Sequence, residues 1–236
     1  MKRFTIIILC LFFVGISFTS KSQEMTQEQK ISYALGANVG ESFKTAGIQL
    51  TMDNFIQGVT DALAGNNKLT PQEMEQLFAI LNQQVQEHQN KGMAEEKTKG
   101  AAFLAENLKK EGVVATASGL QYKVIKMGTG PKPTATDQVK VHYHGTTIDG
   151  VVFDSSVQRG EPITFGLNQV IPGWTEGVQL MPVGSKFMFF IPSDLAYGDR
   201  GAGNAIKPGA TLIFEVELFE INPAPATPVT PASPVK

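Results

Sequence analysis

Apolar residues recur every three to four positions through the first half of the chain, a spacing that predicts helices. Ile31, Leu35, Val39 and Phe43 lie four positions apart and share one face of a first helix. The pattern changes near residue 115, so the chain has a helical region and a second region of different construction.

Two further helices are predicted in the first region. The second helix has Asp53 as its expected N-cap. The third opens at Thr70 and Pro71, with threonine as the cap and proline in the first turn, and no strong stop follows until Gly112. It would span about 40 residues, or roughly 60 Å. The apolar face of the second helix consists of Phe55, Ile56, Val59 and Leu63.

The middle of the third helix, HQNKGMAEEKTKG (88–100), has almost nothing to bury. A helical segment that is polar on all sides usually crosses solvent between two packed bodies. We therefore predict a helical dimerisation domain joined by a long stalk helix to a second domain. The alternative is a small monomeric helical domain with a broken third helix. The extra burial that small cores need favours the dimer.

From Gly119 onward, apolar and polar residues alternate, which predicts half-buried antiparallel strands separated by glycine- and proline-rich turns. One short helix fits between residues 173 and 180. The predicted class is therefore α+β: an N-terminal helical part, then an antiparallel sheet around a short helix. The clearest strands are 120–127, 139–144, 187–191 and 212–218.

Both ends of the chain have distinct compositions. Lys2 and Arg3 precede a run of about 14 apolar residues, and Ser20-Lys21-Ser22 provides a small-x-small cleavage pattern. The run is too short to span a bilayer core of ~30 Å, so residues 1–22 are predicted to be a signal peptide. Residues 222–236 are proline-rich and almost uncharged, which predicts an unpacked tail. The domains are then 1–22, 23–117, 118–221 and 222–236.

Composition narrows the function classes. The chain has 236 residues, a net charge of −2, one cysteine and three histidines. Nucleic acid is a poor partner for this charge balance, and the sequence offers no metal site. His142 and His144 are expected on an exposed strand face without a third ligand, and Asp199 and Arg200 are expected to form only a surface pair.

Five motifs occur in a fixed order: VHYHG (141–145), FDSS (153–156), VIPGW (170–174), AYG (196–198) and PGATLIFEVEL (208–218). This series closely resembles the FKBP-type peptidyl-prolyl cis-trans isomerases from about residue 119 to 221. The helical region and the junction SGLQY (118–122) resemble the two-domain periplasmic FKBPs of the FkpA and macrophage infectivity potentiator type. Those proteins are V-shaped dimers held together by intertwined N-terminal helices.

The resemblance implies an exported, periplasmic isomerase that acts on X-Pro bonds of unfolded or partly folded polypeptides during folding, with chaperone activity and no cofactor. It also implies a homodimer and inhibition by macrolides such as rapamycin. The alternative is a non-catalytic chaperone on the same fold, but such a protein would be expected to lose Asp154, Tyr197 or Trp174, and all three are present.

The resemblance also implies the site. Asp154, Tyr197 and Tyr143 are expected to be catalytic. Trp174 would form the pocket floor, the backbone N–H of Ile171 would hold a carbonyl, and Tyr197 would donate to the carbonyl before the proline. Ile163 stands where relatives frequently carry a phenylalanine, and Ala205 and Ile206 stand where a bulkier pair is frequent, which affects substrate preference and macrolide affinity. The remaining expected substrate-binding residues are Phe153, Phe165, Val170, Ile206 and Phe214, and for Phe165 and Phe214 a purely core role is the alternative.

Overall fold

The computed structural model describes residues 24–222, so the predicted signal peptide and residues 223–236 of the predicted tail lie outside the described residues. The chain divides into two compact units after Thr45. The first contains helix α1 (Gln27–Thr45), in which Ile31, Leu35 and Val39 are exposed. None of the helices in residues 24–222 is long and apolar enough to cross a bilayer.

The second unit begins with helices α2 (Met52–Leu63) and α3 (Pro71–Asn107). Thr70 caps α3 as predicted: its Oγ1 accepts from the Glu73 N–H at 3.2 Å, and the Glu73 carboxylate accepts from the Thr70 N–H at 2.8 Å. The prediction that Asp53 caps α2 is wrong, because the N-cap is Thr51 and Asp53 lies in the first turn. Its charge is favourable there, next to the unpaired N–H groups.

The predicted antiparallel sheet is confirmed, and it contains three short strands that alternation did not reveal. The order across the sheet is β1-β2-β6-β7-β3-β4, and β5 pairs with another stretch of β3. Because β1 pairs with β2, the sheet begins at Val113, before the predicted boundary at residue 118. The strands are β1 (Val113–Ala115), β2 (Gln121–Lys126), β3 (Gln138–Thr147), β4 (Val152–Ser155), β5 (Ile163–Gly166), β6 (Lys186–Ile191) and β7 (Leu212–Ile221).

A short helix covers one face of this sheet, as predicted. Helix α5 (Pro172–Gln179) buries Trp174 and Val178 in the same core as Phe189 and Val216. It lies so close to the sheet that a Cβ on Gly177 would come within 2.8 Å of the Phe189 ring. A second helix of one turn, α4 (Ser156–Arg159), follows β4.

The last turns of α3 are fixed to the sheet. The buried Asn107 side-chain amide donates to Gln121 Oε1 at 3.0 Å, and Gln121 Nε2 donates to the Leu104 carbonyl at 2.9 Å. The ring of Phe103 lies 6.0 Å from that of Phe190. The helix ends at Asn107, before the expected stop at Gly112, and residues 108–112 form turns and a bend that lead into β1.

The two strand histidines differ from expectation. His142 and His144 are half-buried, and their Nδ1 atoms hydrogen-bond with Ser156 Oγ at 2.9 Å and Ser155 Oγ at 3.0 Å. The prediction of an exposed face is wrong because the chain turns into α4 directly over this part of β3. Within residues 24–222, no group of three or more His, Cys, Asp or Glu side chains could hold a metal ion.

Candidate active site

A cavity of about 720 Å³ opens between the sheet, α5 and the loops that precede β7. The structure brings every predicted site residue to its wall, although they come from separate strands, α5 and two loops. Five further residues that were not predicted as substrate-binding also line it, in addition to Ile163. The predicted residues are Tyr143, Phe153, Asp154, Phe165, Val170, Ile171, Trp174, Tyr197, Ile206 and Phe214, and the further ones are Gln169, Ala202, Gly203, Asn204 and Ala205.

Trp174 lies at the centre of an aromatic cluster. Helix α5 begins at Pro172, which places Trp174 in its first turn, against the sheet, where the side chain is 5% exposed. Its ring meets those of Tyr143, Phe165 and Phe214 edge-to-face at centroid distances of 5.4, 5.4 and 5.1 Å. Such pairs are favourable beyond the area that they bury, so the indole is held firmly.

Phe165 and Phe214, for which a purely core role was the alternative, line the cavity and also pack in the core. Phe214 is 4% exposed and belongs to the core, yet one part of its ring lines the cavity. Phe165 is half-buried, packs against the same core and also lines the cavity. The cavity wall is thus continuous with the hydrophobic core.

One edge of the cavity carries a polar network of three side chains. Tyr143 on β3 donates its hydroxyl hydrogen bond to Asp154 on the neighbouring strand β4. One guanidinium N–H of Arg159 donates a hydrogen bond to the Asp154 carboxylate, and another donates to the Tyr143 hydroxyl, the latter at 2.9 Å. The guanidinium also lies 5.6 Å from the centroid of the Tyr143 ring. Each member therefore orients the other two.

Contacts within this network set the protonation states of its three side chains. Burial raises the pKa of Tyr143, and the hydrogen bond to the Asp154 carboxylate raises it further. Burial also favours a higher pKa for Asp154, but the hydrogen bonds from Tyr143 and Arg159 outweigh it and hold that pKa below its usual range. The pKa of Arg159 is raised by the Asp154 carboxylate. At neutral pH, Tyr143 is therefore protonated, Asp154 is an anion and Arg159 is a cation.

Sequence reasoning missed Arg159. It closes the single turn of α4, which begins where the Ser155 hydroxyl accepts from the Gln158 N–H at 3.2 Å and ends at Gly160, whose φ is +82°. The only signal in the sequence is position: Arg159 is one of three arginines and stands five residues after Asp154, across a serine cap and before a glycine stop. One turn of helix is enough to bring its side chain back to the carboxylate.

Two hydrogen-bond donors on the wall point to no acceptor in the described part of the chain. The backbone N–H of Ile171 stands at the start of α5, where the first N–H groups of a helix have no partner within it. The hydroxyl of Tyr197 belongs to a side chain that is 40% exposed. A ligand carbonyl can therefore accept from either without displacing a protein bond.

The sequence matches two family profiles. Residues 130–219 match "FKBP-type peptidyl-prolyl cis-trans isomerase", and residues 28–124 match "Domain amino terminal to FKBP-type peptidyl-prolyl isomerase". Such enzymes act on proline-containing polypeptides.

Relatives match over most of the chain. An "FKBP-type peptidyl-prolyl cis-trans isomerase FkpA" of Aeromonas hydrophila is 51% identical over 85% of this chain and 79% of its own. An "Outer membrane protein MIP" of Legionella longbeachae is 43% identical over 89% of this chain and 92% of its own. The crystal structure of FkpA from Escherichia coli is 41% identical, covers 85% of this chain and 99% of its own, and superposes with a TM-score of 0.67. The chain therefore belongs to the FKBP-type peptidyl-prolyl cis-trans isomerases, enzymes that interconvert the two forms of X-Pro peptide bonds, as its ordered motifs predicted.

Proposed function

We propose that the aromatic cavity is the place where this chain isomerises X-Pro bonds, with Tyr143, Asp154 and Tyr197 at the reacting amide and Trp174 beneath the proline ring. The observation that supports this most is the asymmetry of the cavity. It has an aromatic floor and walls centred on Trp174, and its one charged network lies at an edge.

The barrier to isomerisation explains why such a cavity suffices. Rotation about the C–N bond must break amide resonance, which costs ~18–20 kcal/mol. The planar amide is strongly dipolar through that resonance, whereas the twisted amide is less so. A cavity of apolar rings destabilises the planar form relative to the twisted one, and each 1.36 kcal/mol gained is a factor of ten in rate. No nucleophile is required.

The polar groups would orient the peptide and stabilise the twisted amide. The unpaired Ile171 N–H would bind one carbonyl of the peptide, and the Tyr197 hydroxyl would bind the carbonyl before the proline, so that together they orient the X-Pro amide in the cavity. When the nitrogen lone pair ceases to donate, the carbonyl carbon becomes more positive. The Asp154 carboxylate, held ionised by Tyr143 and Arg159, would face that carbon.

Turnover of a Leu-Pro peptide by the chain spanning residues 23–236 tests the site. We expect acceleration that rapamycin abolishes, because the macrolide would compete for the same aromatic cavity. Asp154→Ala and Tyr197→Phe should lower kcat/KM about tenfold or more with the fold intact, and Trp174→Ala should also raise KM. Turnover that is equal in all three variants and in the parent would show that the reaction takes place elsewhere.

We propose in addition that the chain is a homodimer through its N-terminal helices and that it holds clients as well as isomerising them. Large apolar side chains on α2 and on the first half of α3 are exposed to solvent. Leu63 is 86% exposed and Phe78 is 59% exposed. A second copy presents the same apolar residues in return, as a twofold interface requires. The arms of such a dimer would hold a partly folded client near two cavities.

Export to the periplasm through cleavage of residues 1–22 completes the proposal. Its support lies in the sequence of charged, apolar and small residues in this segment and in the name of the Legionella relative, "Outer membrane protein MIP". The mature chain would then comprise a helical dimerisation domain with its stalk (23–117), the isomerase domain (118–221) and a proline-rich tail (222–236).

A further inference from the structure

The loop between β6 and β7 carries one wall of the cavity. We define the pocket loop as residues 197–211. It supplies Tyr197, Ile206 and the small residues between them to the cavity. Its tip is closed by a two-way backbone bridge between Ala202 and Ile206, at 2.8 and 3.1 Å. Its neck is closed by the Gly209 N–H, which donates to the Gly198 carbonyl at 2.9 Å.

The second half of α3 lies along the neck of this loop. Lys97 Nζ is 2.6 Å from Asp199 Oδ1, and Lys207 Nζ is 2.8 Å from Glu96 Oε1. The helix thus offers an anion and a cation side by side, and the loop offers their complements, Asp199 and Lys207, on either side of its tip. Crossed pairs of this kind favour one register of the loop on the helix, since a shift would place like charges together.

Close packing of glycines accompanies the ion pairs. A Cβ on Gly209 would be 2.8 Å from the carbonyl oxygen of Met93, and the buried Thr211 side chain occupies the space where Gly100 would carry a Cβ. The helix residues at 93, 96, 97 and 100 follow the i, i+3, i+4, i+7 pattern, so one face of α3 makes all four contacts. Asp199, expected to pair with Arg200 on the surface, is in fact part of this contact.

We propose that Glu96 and Lys97 are positioning residues of the isomerase: from the stalk helix they hold the pocket loop so that Tyr197 and Ile206 face the cavity. This rests on the cavity being the isomerase site, as proposed above. Neither residue lines the cavity. Their effect is on the fraction of molecules in which the loop is seated, and a substrate that binds only the seated form has a KM raised by the inverse of that fraction, with kcat unchanged.

The same helix provides a matched control. Lys99 Nζ lies 2.6 Å from Asp149 Oδ2, at an exposure similar to that of the Lys97 pair. Asp149 belongs to the turn between β3 and β4, and no described residue of that turn lines the cavity. Loss of the Lys99 ion pair should therefore remove a similar electrostatic stabilisation to loss of the Lys97 ion pair, without moving the cavity wall.

The test measures KM and kcat on a Leu-Pro peptide for the chain spanning residues 23–236. We expect Glu96→Ala with Lys97→Ala to raise KM about two- to fivefold at unchanged kcat, because ion pairs with at least one solvent-exposed partner contribute only weakly. Lys99→Ala should leave both constants at the parent values. The exchange Lys97→Asp with Asp199→Lys should recover most of the KM that Lys97→Asp alone loses. In the double alanine variant, the Ile206 methyl resonances should shift.

Two results would overturn the inference: a KM of the double alanine variant equal to that of Lys99→Ala, or no recovery on charge exchange. Tyr197→Phe in the same assay separates this from failure of the site. If Tyr197→Phe slows turnover and the double alanine variant behaves as the parent, the helix does not position the loop and the site stands. If Tyr197→Phe and Trp174→Ala are both silent, the site assignment itself fails.

Discussion

The two halves of α3 invert the usual relation between hydropathy and burial. In the first half, Leu77 and Phe78 are 51% and 59% exposed. In the second half, the Glu96 side chain is only 15% exposed and Gly100 is buried. The difference is in what each half meets: the second half packs against the pocket loop and the sheet, and the first half presents apolar side chains to solvent. A residue of α3 is therefore buried where another segment packs on it, whether or not it is apolar. Apolar residues without such a neighbour leave an exposed apolar surface, which is typical of an interaction site.

The largest expected effect comes from the first half. Leu77→Glu with Phe78→Glu places two charges on the face proposed to meet a second copy, and desolvating them would cost far more than the interface gains. Light scattering should show the molar mass falling to half that of the parent, with turnover of a short peptide unchanged. Glu75→Gln with Gln76→Glu, a change of position but not of charge beside them, should leave the dimer intact. A parent chain that is already monomeric would contradict the proposal.

An intermediate effect is expected from the glycines of α3. Gly92→Ala adds a Cβ to open space and should stabilise the chain by up to about 1 kcal/mol through helix propensity. Gly100→Ala has the same propensity gain, but its Cβ meets the buried, β-branched Thr211. It should leave the chain about 1–3 kcal/mol less stable than Gly92→Ala. Urea unfolding followed by fluorescence of Trp174, the single tryptophan, measures the difference.

The packing explanation has its own control. In a chain with Thr211→Ala, the gap between Gly92→Ala and Gly100→Ala should close, because the obstructing side chain is gone. If Gly100→Ala stabilises the parent as much as Gly92→Ala does, the second half of α3 is not packed on the pocket loop.

The smallest effect concerns pH and the network on the cavity edge. The pKa of Asp154 is lowered in the folded chain, so its contribution to stability is present above the unfolded value of about 3.9 and is lost as pH falls through the lower folded value. The value of kcat/KM should therefore be constant across neutral pH. It should fall, as the acid limb of the pH profile, only at pH values below the usual carboxyl range. Arg159→Ala removes a cation from the carboxylate and should move that limb to higher pH.

Arg200 provides the comparison for this measurement. It is an exposed arginine of the pocket loop and does not line the cavity. Arg200→Ala should leave the acid limb of kcat/KM in place. A limb that stays fixed in Arg159→Ala would show that Asp154 ionisation does not govern the rate.

Much of the fold was predictable because periodicity is a local property. The alternation in 212–218 placed β7, and the threonine-proline pair at 70 and 71 placed the start of α3. The short strands β1, β4 and β5 were not predictable, because three or four residues are too few to show a period. Their pairing depends on strands far away in sequence.

The candidate site also has one part that the sequence predicted and one part that it did not. The ordered motifs predicted the cavity residues through family resemblance, and the structure brings them together. The contact of Arg159 with Asp154 was not predicted, because the side chain reaches the carboxylate only through the one turn of helix α4. The pairing of Asp199 with Lys97 escaped because the two residues are about a hundred positions apart, and no local pattern in either segment indicates the other.

Residue types at short spacings were enough to predict the helical and sheet regions, and the ordered motifs were enough to predict the family and the residues of the cavity. The folded arrangement was needed to show which face of α3 is covered, which residues pair with Arg159 and Asp199, and that the polar middle of α3 packs on the pocket loop. The physical reason is that an ion pair or a glycine contact between distant segments is specified by their positions in space, and a charged side chain in a sequence reads the same whether it meets water or a partner.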